Sequence, residues 1–147
     1  MAAFQFHYTD QHFHFPKRSE LKVFLGQLAK AEGKAVAAIN YIFCSDEYLL
    51  QINQAHLDHD TYTDIITFPY HTPGAPLESD IYISVDRVRE NAASFGVPFQ
   101  TELYRVMFHG LLHLCGYKDK TKADQTLMRA KEDFWLQRYS GSTWNKR

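Results

Sequence analysis

The sequence predicts an α+β fold: one mixed sheet packed with helices, in a single domain over residues 1–147. Three observations predict it. Segments rich in β-branched and aromatic residues alternate along the chain with segments of helical periodicity. The segment 80–85, DIYISV, alternates strictly between apolar and other side chains, as a half-buried strand does. The segment 101–115 is apolar almost all round, which predicts a buried central helix.

The first half of the chain carries a local signal for each predicted element. Phe4, Phe6, Phe13 and Phe15 alternate loosely and predict one or two strands before Pro16. The elements after them are a helix from a Ser19 cap to about residue 33, a strand over 38–44, a short helix capped by Ser45, a polar loop through residue 60, and a strand over 63–70 that Pro69 stops.

The second half is predicted to be mainly helical. Residues 71–79 carry two prolines and a glycine and predict a loop, and the strand over 80–85 follows it. A helix is expected over about 86–96, and the central helix ends where Gly116 stands. Thr121 and Asp124 have the spacing of a capping box that opens a last helix to about residue 139.

Composition excludes several classes of protein. Sixteen basic against seventeen acidic residues give a formal charge of -1, which excludes a strongly basic nucleic-acid binder but not a local basic patch. Two cysteines are too few for a disulfide framework and fit a reducing cytoplasm. The N-terminus lacks the pattern of a signal peptide, and no stretch approaches the roughly 20 apolar residues of a membrane span. We therefore expect a cytoplasmic protein.

One stretch, HGLLHLCGYKD at 109–119, carries the chemistry. His109 and His113 stand four residues apart on a predicted helix, so both imidazoles project from one face about 6 Å apart at Cβ. Gly116 breaks the helix, and Asp119 arrives six residues after the second histidine. These three residues predict a site for one divalent ion per chain, most simply Zn²⁺, with a fourth position open as in catalytic zinc sites.

The pattern departs from that of zinc peptidases at one position. Those enzymes place a glutamate directly after the first histidine as general base, and Gly110 stands there in this sequence. Ordinary peptide hydrolysis therefore lacks its base. Cys115 lies close in sequence, but helical spacing turns it away from the face of the two histidines, so we expect a packed side chain.

At these residues the chain resembles the YbeY family, the metal-dependent endoribonucleases of bacterial ribosomal RNA maturation. The family's hallmark is H-G-x-L-H-L-x-G-Y-D-H, and 109–119 follows it closely. Two further blocks agree: TDIITFP at 63–69 resembles the family's T-D-V-L-S-F-P, and SDIYIS at 79–84 resembles its G-D-I-x-I-S. The resemblance covers roughly 40–139. It implies a hydrolase that cleaves single-stranded regions of ribosomal RNA, with zinc as cofactor and the ribosome as partner.

Three departures from the family pattern bear on the site. Asp119 stands in place of the third histidine, and aspartate is also a zinc ligand. The family's D-H pair is Lys118-Asp119. The arginine that usually precedes the T-D block, implicated in catalysis, aligns with Leu57. The side chains that remain candidates for the phosphate-binding charge are Arg87, Arg89, Lys118, Lys120 and Lys122.

Several alternatives stay open from the sequence. His59 or Asp64 could hold the third corner of the metal site, and Asp64 could equally cap a loop or orient a ligand histidine. The attacking group could be a water molecule or the ribose 2′-hydroxyl. The rival functions are a hydrolase of another substrate, such as a peptide, and a non-catalytic ribosome assembly factor with a structural zinc. The cleavage position, the physiological metal and the oligomeric state are not given by the sequence.

Overall fold

The strands in the described part of the chain form one mixed four-stranded sheet. We describe it from a computed structural model, which covers residues 3–57 and 63–140 and the side chains of 3–55 and 63–139. The strands are β1 (Phe4–Tyr8), β2 (Val36–Cys44), β3 (Ile65–Pro69) and β4 (Leu77–Ser84). Their order in the sheet is β1-β2-β4-β3. β1 and β4 both run parallel to β2, and β3 runs antiparallel to β4.

Five helices connect and cover these strands in the described part of the chain. They are α1 (Arg18–Ala31), α2 (Asp46–Leu57), α3 (Val85–Phe95), α4 (Phe99–Leu114) and α5 (Lys122–Ser140). Local signals set several of their ends. The Ser84 hydroxyl accepts a hydrogen bond from Arg87 N at 3.1 Å and caps α3. Gly116 follows α4 with φ 114°, a left-handed conformation that glycine adopts without strain.

The core lies between one face of the sheet and α1, α4 and α5. Alternate residues of β2 and β4, among them Ile39, Tyr41, Ile81 and Ile83, are fully buried there. α4 is buried along most of its length, as its apolar sequence predicts. The Tyr41 hydroxyl donates a hydrogen bond to the Met107 carbonyl oxygen at 2.9 Å, which fixes α4 against the centre of the sheet. The few polar residues of α4 therefore have fixed positions relative to the sheet.

The predicted α+β fold with one mixed sheet and a buried central helix is confirmed, and some boundaries were wrong. Ser19 does not cap α1: Lys17 occupies the N-cap position in a left-handed conformation, and it makes no side-chain capping bond. Of the one or two strands predicted before Pro16, one forms, and in the segment that follows it Phe13 and Phe15 pack on Phe43. The predicted loop over 71–79 ends earlier, since β4 begins at Leu77.

Other local predictions are confirmed. Ser45 caps α2, since its hydroxyl accepts a hydrogen bond from Tyr48 N at 3.1 Å. The capping box of α5 forms with reciprocal bonds between Thr121 and Asp124 at 3.0 and 3.3 Å. Across residues 3–57 and 63–140, no helix combines the length and the apolar character that spanning a membrane requires. The expectations for His59 and for the side chain of Leu57 lie outside the described residues.

Candidate metal centre

The three residues predicted to bind metal line one small cleft. It has a volume of about 150 Å³ and lies between α4 and β3. His109, His113 and Asp119 line it, and the walls are completed by Gly110 and by Ile65 and Thr67 of β3. His113 and Asp119 are exposed, whereas a quarter of the His109 side chain is accessible to solvent. The helix, its terminating turn and the edge strand together therefore form a site that opens to solvent.

The ring of His109 is held in one tautomer by a buried carboxylate. Its Nδ1 lies 2.7 Å from Glu132 Oε2 on α5. An ionised carboxylate only accepts hydrogen bonds, so Nδ1 carries the proton and donates it. The Nε2 lone pair is thereby left for a cation, and this atom lies 3.4 Å from Asp119 Oδ2 in the cleft. A carboxylate behind a ligand histidine is a recurrent support of metal sites.

The ring of His113 is held in the same way by a backbone oxygen. Its Nδ1 lies 3.1 Å from the carbonyl oxygen of Tyr117, which follows the left-handed Gly116. A carbonyl oxygen can only accept, so Nδ1 donates here too and Nε2 keeps its lone pair. The turn after α4 thus has two effects: it ends the helix, and it returns a carbonyl group to the histidine one turn before.

The donor set fits a small divalent cation, although the side chains do not converge as a complete ligand sphere. Zn–N and Zn–O bonds of about 2.0–2.1 Å in a tetrahedral site place neighbouring ligand atoms about 3.3 Å apart. The distance of 3.4 Å between His109 Nε2 and Asp119 Oδ2 matches that edge. Within the part of the chain that the structure describes, no three or more His, Cys, Asp or Glu residues form a group that could hold a metal ion as they stand. The three-residue ligand set therefore stays a prediction.

Glu132 is the functional candidate that the sequence reasoning missed. Its side chain is 8% exposed, and its other oxygen, Oε1, accepts a hydrogen bond from Arg105 Nη1 at 2.9 Å. Arg105 in turn contacts Asp133 at 2.7 Å through Nη2. Two sequence signals pointed to this network. Arg105 is a cation in an almost wholly apolar helix and needs a partner, and Glu132 lies on the buried stripe of α5 between Met128 and Leu136.

The electrostatic environment of the cleft favours a positive charge. Burial lowers the pKa of His109, but the hydrogen bond that it donates to Glu132 and the nearby carboxylates outweigh this effect and raise that pKa above its usual value. Those carboxylates belong to Glu132, Asp119 and Asp64. Burial raises the pKa of Asp64, while the neighbouring His109 opposes that shift. A cation placed at the free Nε2 atom would be stabilised by the same carboxylates.

Gly110 permits the close approach of α4 to the sheet. A Cβ atom at this position would lie 2.8 Å from Ile65 Cδ1 and 3.3 Å from Ile81 Cγ2. A larger side chain would have to displace both isoleucines. A glutamate at this position, where zinc peptidases carry their general base, would therefore extend into packed apolar side chains. The difference from the peptidase pattern thus has a steric cause.

The remaining candidates are placed as follows. Asp64 lies close enough to His109 to influence its pKa, but the acceptor of the hydrogen bond from His109 Nδ1 is Glu132. Cys115 packs against the core, and burial raises the pKa of its thiol to about 11, as expected for a packed residue.

The basic candidates divide into two groups. Arg87 binds Asp46 at 2.8 Å and Arg89 stacks on a ring, whereas the exposed lysines flank Asp119: Lys118, Lys120 and Lys122.

Comparison with known proteins extends this picture. A sequence model of the family described as Endoribonuclease YbeY matches residues 6–140. Endoribonuclease YbeY of Flavobacterium psychrophilum is 61% identical over 103 residues, which cover 70% of this chain and 73% of that protein. The same protein of Cytophaga hutchinsonii is 51% identical over 124 residues, or 84% of this chain and 87% of the relative. The solution structure of TM1509 from Thermotoga maritima matches with a TM-score of 0.67 and 28% identity, covering 97% of this chain and 91% of the other.

Fold and site together define an α+β protein whose buried central helix lines a cleft with two histidines. The family match covers nearly the whole described chain, and the relatives are well above the identity at which membership is in question. The chain belongs to the endoribonuclease YbeY family, a family of hydrolases that act on RNA.

Proposed function

We propose that this protein is a zinc-dependent, single-strand-specific endoribonuclease that acts in maturation of the 3′ end of small-subunit ribosomal RNA and in ribosome quality control. It works in the cytoplasm, on the ribosome or its precursors. Family membership supports RNA cleavage, since relatives that cover most of the chain are named endoribonucleases. The sequence motifs at 63–69, 79–84 and 109–119 support the same reading.

The observation that carries the metal dependence is the orientation of the two histidines. His109 and His113 each donate Nδ1–H to a protein oxygen, so both Nε2 lone pairs are available in one cleft that Asp119 also lines. Two independent acceptors, a carboxylate and a backbone carbonyl, impose the same tautomer. If the two imidazole rings only packed in the core, nothing would require both of them to donate from Nδ1 and to leave Nε2 free.

Each group has a distinct role in the proposed reaction. His109, His113 and Asp119 hold one Zn²⁺, which when bound supplies Lewis-acid chemistry to a phosphodiester. Glu132 and the Tyr117 carbonyl fix the two rings so that the site is assembled before the substrate arrives. The lysines that flank Asp119 in the sequence are exposed, and in the proposed reaction they neutralise substrate phosphates.

The selectivity for single strands follows from access. The cleft is small, and duplex RNA keeps its bases stacked within the helix, whereas an unpaired strand can bend its backbone into the site. The net charge of -1 predicts weak affinity for RNA in general. Presentation of the substrate by the ribosome would compensate for that weakness.

Metal analysis paired with RNA cleavage tests the proposal. Protein purified without added metal is expected to contain one zinc per chain, and to cleave single-stranded RNA slowly and in a chelator-sensitive manner. His109→Ala and His113→Ala should both lack zinc, because two remaining ligands hold the ion poorly. Full zinc occupancy in either variant would contradict the ligand assignment.

The His113→Ala variant is also the control against contaminating nuclease. Equal cleavage of the same RNA by this variant and by the parent protein would remove the support for a nuclease. Chelator-sensitive cleavage of a peptide but not of RNA would favour the rival hydrolase. Unfolding on metal removal, with no hydrolysis of either substrate, would favour a structural zinc.

A further inference from the structure

A second, larger groove lies between α1 and α5, outside the metal cleft. Its volume is about 590 Å³, which is within the range of small-molecule sites. The residues that define it on the α5 side recur at helical spacing and include Lys131, Phe134 and Arg138, and Phe24 and Gln27 of α1 face them. We call this surface the α1–α5 groove. The proposed metal chemistry makes no use of it.

The groove presents an aromatic ring between two cations. Phe134 is 43% exposed, whereas its neighbour Trp135 is buried. Arg138 Cζ lies 4.7 Å from the centre of the Phe134 ring, and Lys131 Nζ lies 5.8 Å from it. Both cations lie over the ring, and a partly exposed ring together with an arginine is a combination by which proteins stack on unpaired bases and neutralise phosphates.

The carboxylate in the groove is already engaged. Glu32 accepts hydrogen bonds from Tyr117 Oη at 2.7 Å, Trp135 Nε1 at 2.9 Å and Lys131 Nζ at 3.2 Å, and its side chain is 9% exposed. Its charge is therefore largely compensated within the protein. The groove consequently does not repel an anion as a free carboxylate would, and Arg138 supplies its exposed positive charge.

One residue connects the groove with the metal cleft. The Tyr117 hydroxyl binds Glu32 at the base of the groove, and its ring lies 5.4 Å from Lys131 Nζ. The carbonyl oxygen of the same tyrosine holds the ring of His113. A strand that runs from the cleft to the groove would therefore pass Tyr117.

We propose that the α1–α5 groove is a subsite for an unpaired nucleotide of the RNA strand that is cleaved at the metal centre. Phe134 stacks on the base, and Arg138 faces its phosphates. The subsite rests on the proposed function, because its ligand is the same RNA strand. It adds a determinant for single strands, since a base can stack on Phe134 only when it has left its own helix.

Binding of a fluorescently labelled single-stranded oligoribonucleotide tests the subsite. The measurement is made in the His113→Ala background, so that cleavage does not interfere. Phe134→Leu keeps apolar bulk but removes the ring, and we expect binding to weaken by about fivefold or more. Phe134→Trp should bind as well as the parent. Phe95→Leu, at another exposed phenylalanine on α3, is the matched control and should change nothing.

The phosphate contact has its own signature. Arg138→Gln should weaken binding and lower the slope of log affinity against log salt by about 0.7, the value for one phosphate of a single strand. Melting curves confirm that every variant is folded. If RNA binding is the same in Phe134→Leu, Arg138→Gln and the parent, the subsite is overturned, although the parent's cleavage of RNA would leave the proposed function standing. If the parent protein neither binds nor cleaves the RNA, both fail.

Discussion

One residue that does not line the cleft supports the candidate metal centre from behind. Glu132 accepts a hydrogen bond from His109 Nδ1 at 2.7 Å with one oxygen and from Arg105 at 2.9 Å with the other. Arg129 lies 3.6 Å away from the same carboxylate. A carboxylate that accepts the Nδ1–H of a ligand histidine fixes the ring and would make its Nε2 a better donor to the proposed metal ion. Glu132 is therefore a positioning residue.

We expect Glu132→Gln to weaken zinc binding by about 10–100-fold, as replacement of a carboxylate behind a ligand histidine typically does. The amide keeps the shape of the side chain, but it cannot accept from both His109 and Arg105 with full strength. Asp133→Asn is the matched control, because Asp133 also pairs with Arg105 yet is 56% exposed and adjacent to Glu132. Competition with a chelating dye measures both affinities. Equal losses in the two variants would show that Arg105, and not His109, mediates the effect.

Asp119 is the least typical of the proposed ligands and can be tested in two directions. Asp119→Ala should weaken zinc binding by at least about tenfold, because one of three protein ligands is lost. Asp119→His should retain zinc, since imidazole is an equally suitable ligand at the position where the family usually has one. The exposed Lys120 next to it provides the control variant Lys120→Ala, and elemental analysis after dialysis gives the occupancy. Parent-like affinity in Asp119→Ala would mean that another residue holds that corner.

At the scale of elements, the approach of α4 to the sheet depends on Gly110. A Cβ atom there would lie 2.8 Å from Ile65 Cδ1, whereas a Cβ atom at Gly26 of α1 would have nothing nearer than Phe4 at 4.0 Å. Both glycines lie inside helices, so both substitutions to alanine gain about 1 kcal/mol of helix propensity. Only the substitution at position 110 adds an overpacking cost, of about 1–3 kcal/mol.

We therefore expect opposite signs for the two alanine variants. Gly26→Ala should raise the free energy of unfolding by about 0.5–1 kcal/mol. Gly110→Ala should lower it by about 1 kcal/mol. Urea denaturation measures the free energy of unfolding of both variants. The gain in helix propensity from glycine to alanine is common to the two, so it cancels in their difference. An equal stabilisation at both positions would show that Ile65 moves aside at no cost.

The elements that were predictable from sequence are those whose determinants are local. The capping box of α5 needs only Thr121 and Asp124, three residues apart, and it forms as predicted. The spacing of His109 and His113 likewise follows from helix geometry alone, and both residues line the same cleft.

The features that sequence reasoning missed depend on contacts between distant segments. Glu132 acts on His109 from 23 residues away, across a helix interface whose register is set only by packing. The start of α1 at Arg18 follows a left-handed Lys17 that no sequence rule favours, while Ser19 has the chemistry of a cap but lies two residues after the N-cap position. Tertiary packing decides such cases.

At the scale of the whole molecule, Glu32 joins three parts of the fold. It lies just after α1 and accepts hydrogen bonds from Tyr117, which follows α4, and from Lys131 and Trp135 of α5. Since Tyr117 also holds His113, the same carboxylate connects the packing of the helices with the geometry of the cleft. The stability of this junction depends on the charge of one nearly buried group.

The pH dependence of stability reports on that charge. Burial raises the pKa of Glu32, but the hydrogen bonds from Tyr117, Trp135 and Lys131 outweigh it and bring the pKa below the usual 4.5. A carboxylate with a lowered folded-state pKa binds fewer protons when folded than when unfolded. Its stabilisation is therefore fully present above about pH 4.5 and is lost as the pH falls through the lower folded-state value.

Glu32→Gln should remove this contribution, which we expect to amount to about 1–3 kcal/mol at neutral pH because charged groups form the stronger hydrogen bonds. The control is Glu78→Gln, at an exposed carboxylate on β4, which should leave stability nearly unchanged. Thermal unfolding followed from pH 7 down to pH 3 should show the parent losing stability towards acid faster than the Glu32→Gln variant, so that the two curves converge. Curves that stay parallel below pH 4.5 would mean that Glu32 stabilises the junction through packing alone.

Because His113 depends on Tyr117, the same variant should also bind zinc more weakly at pH 7, where the charge of Glu32 is complete in the parent.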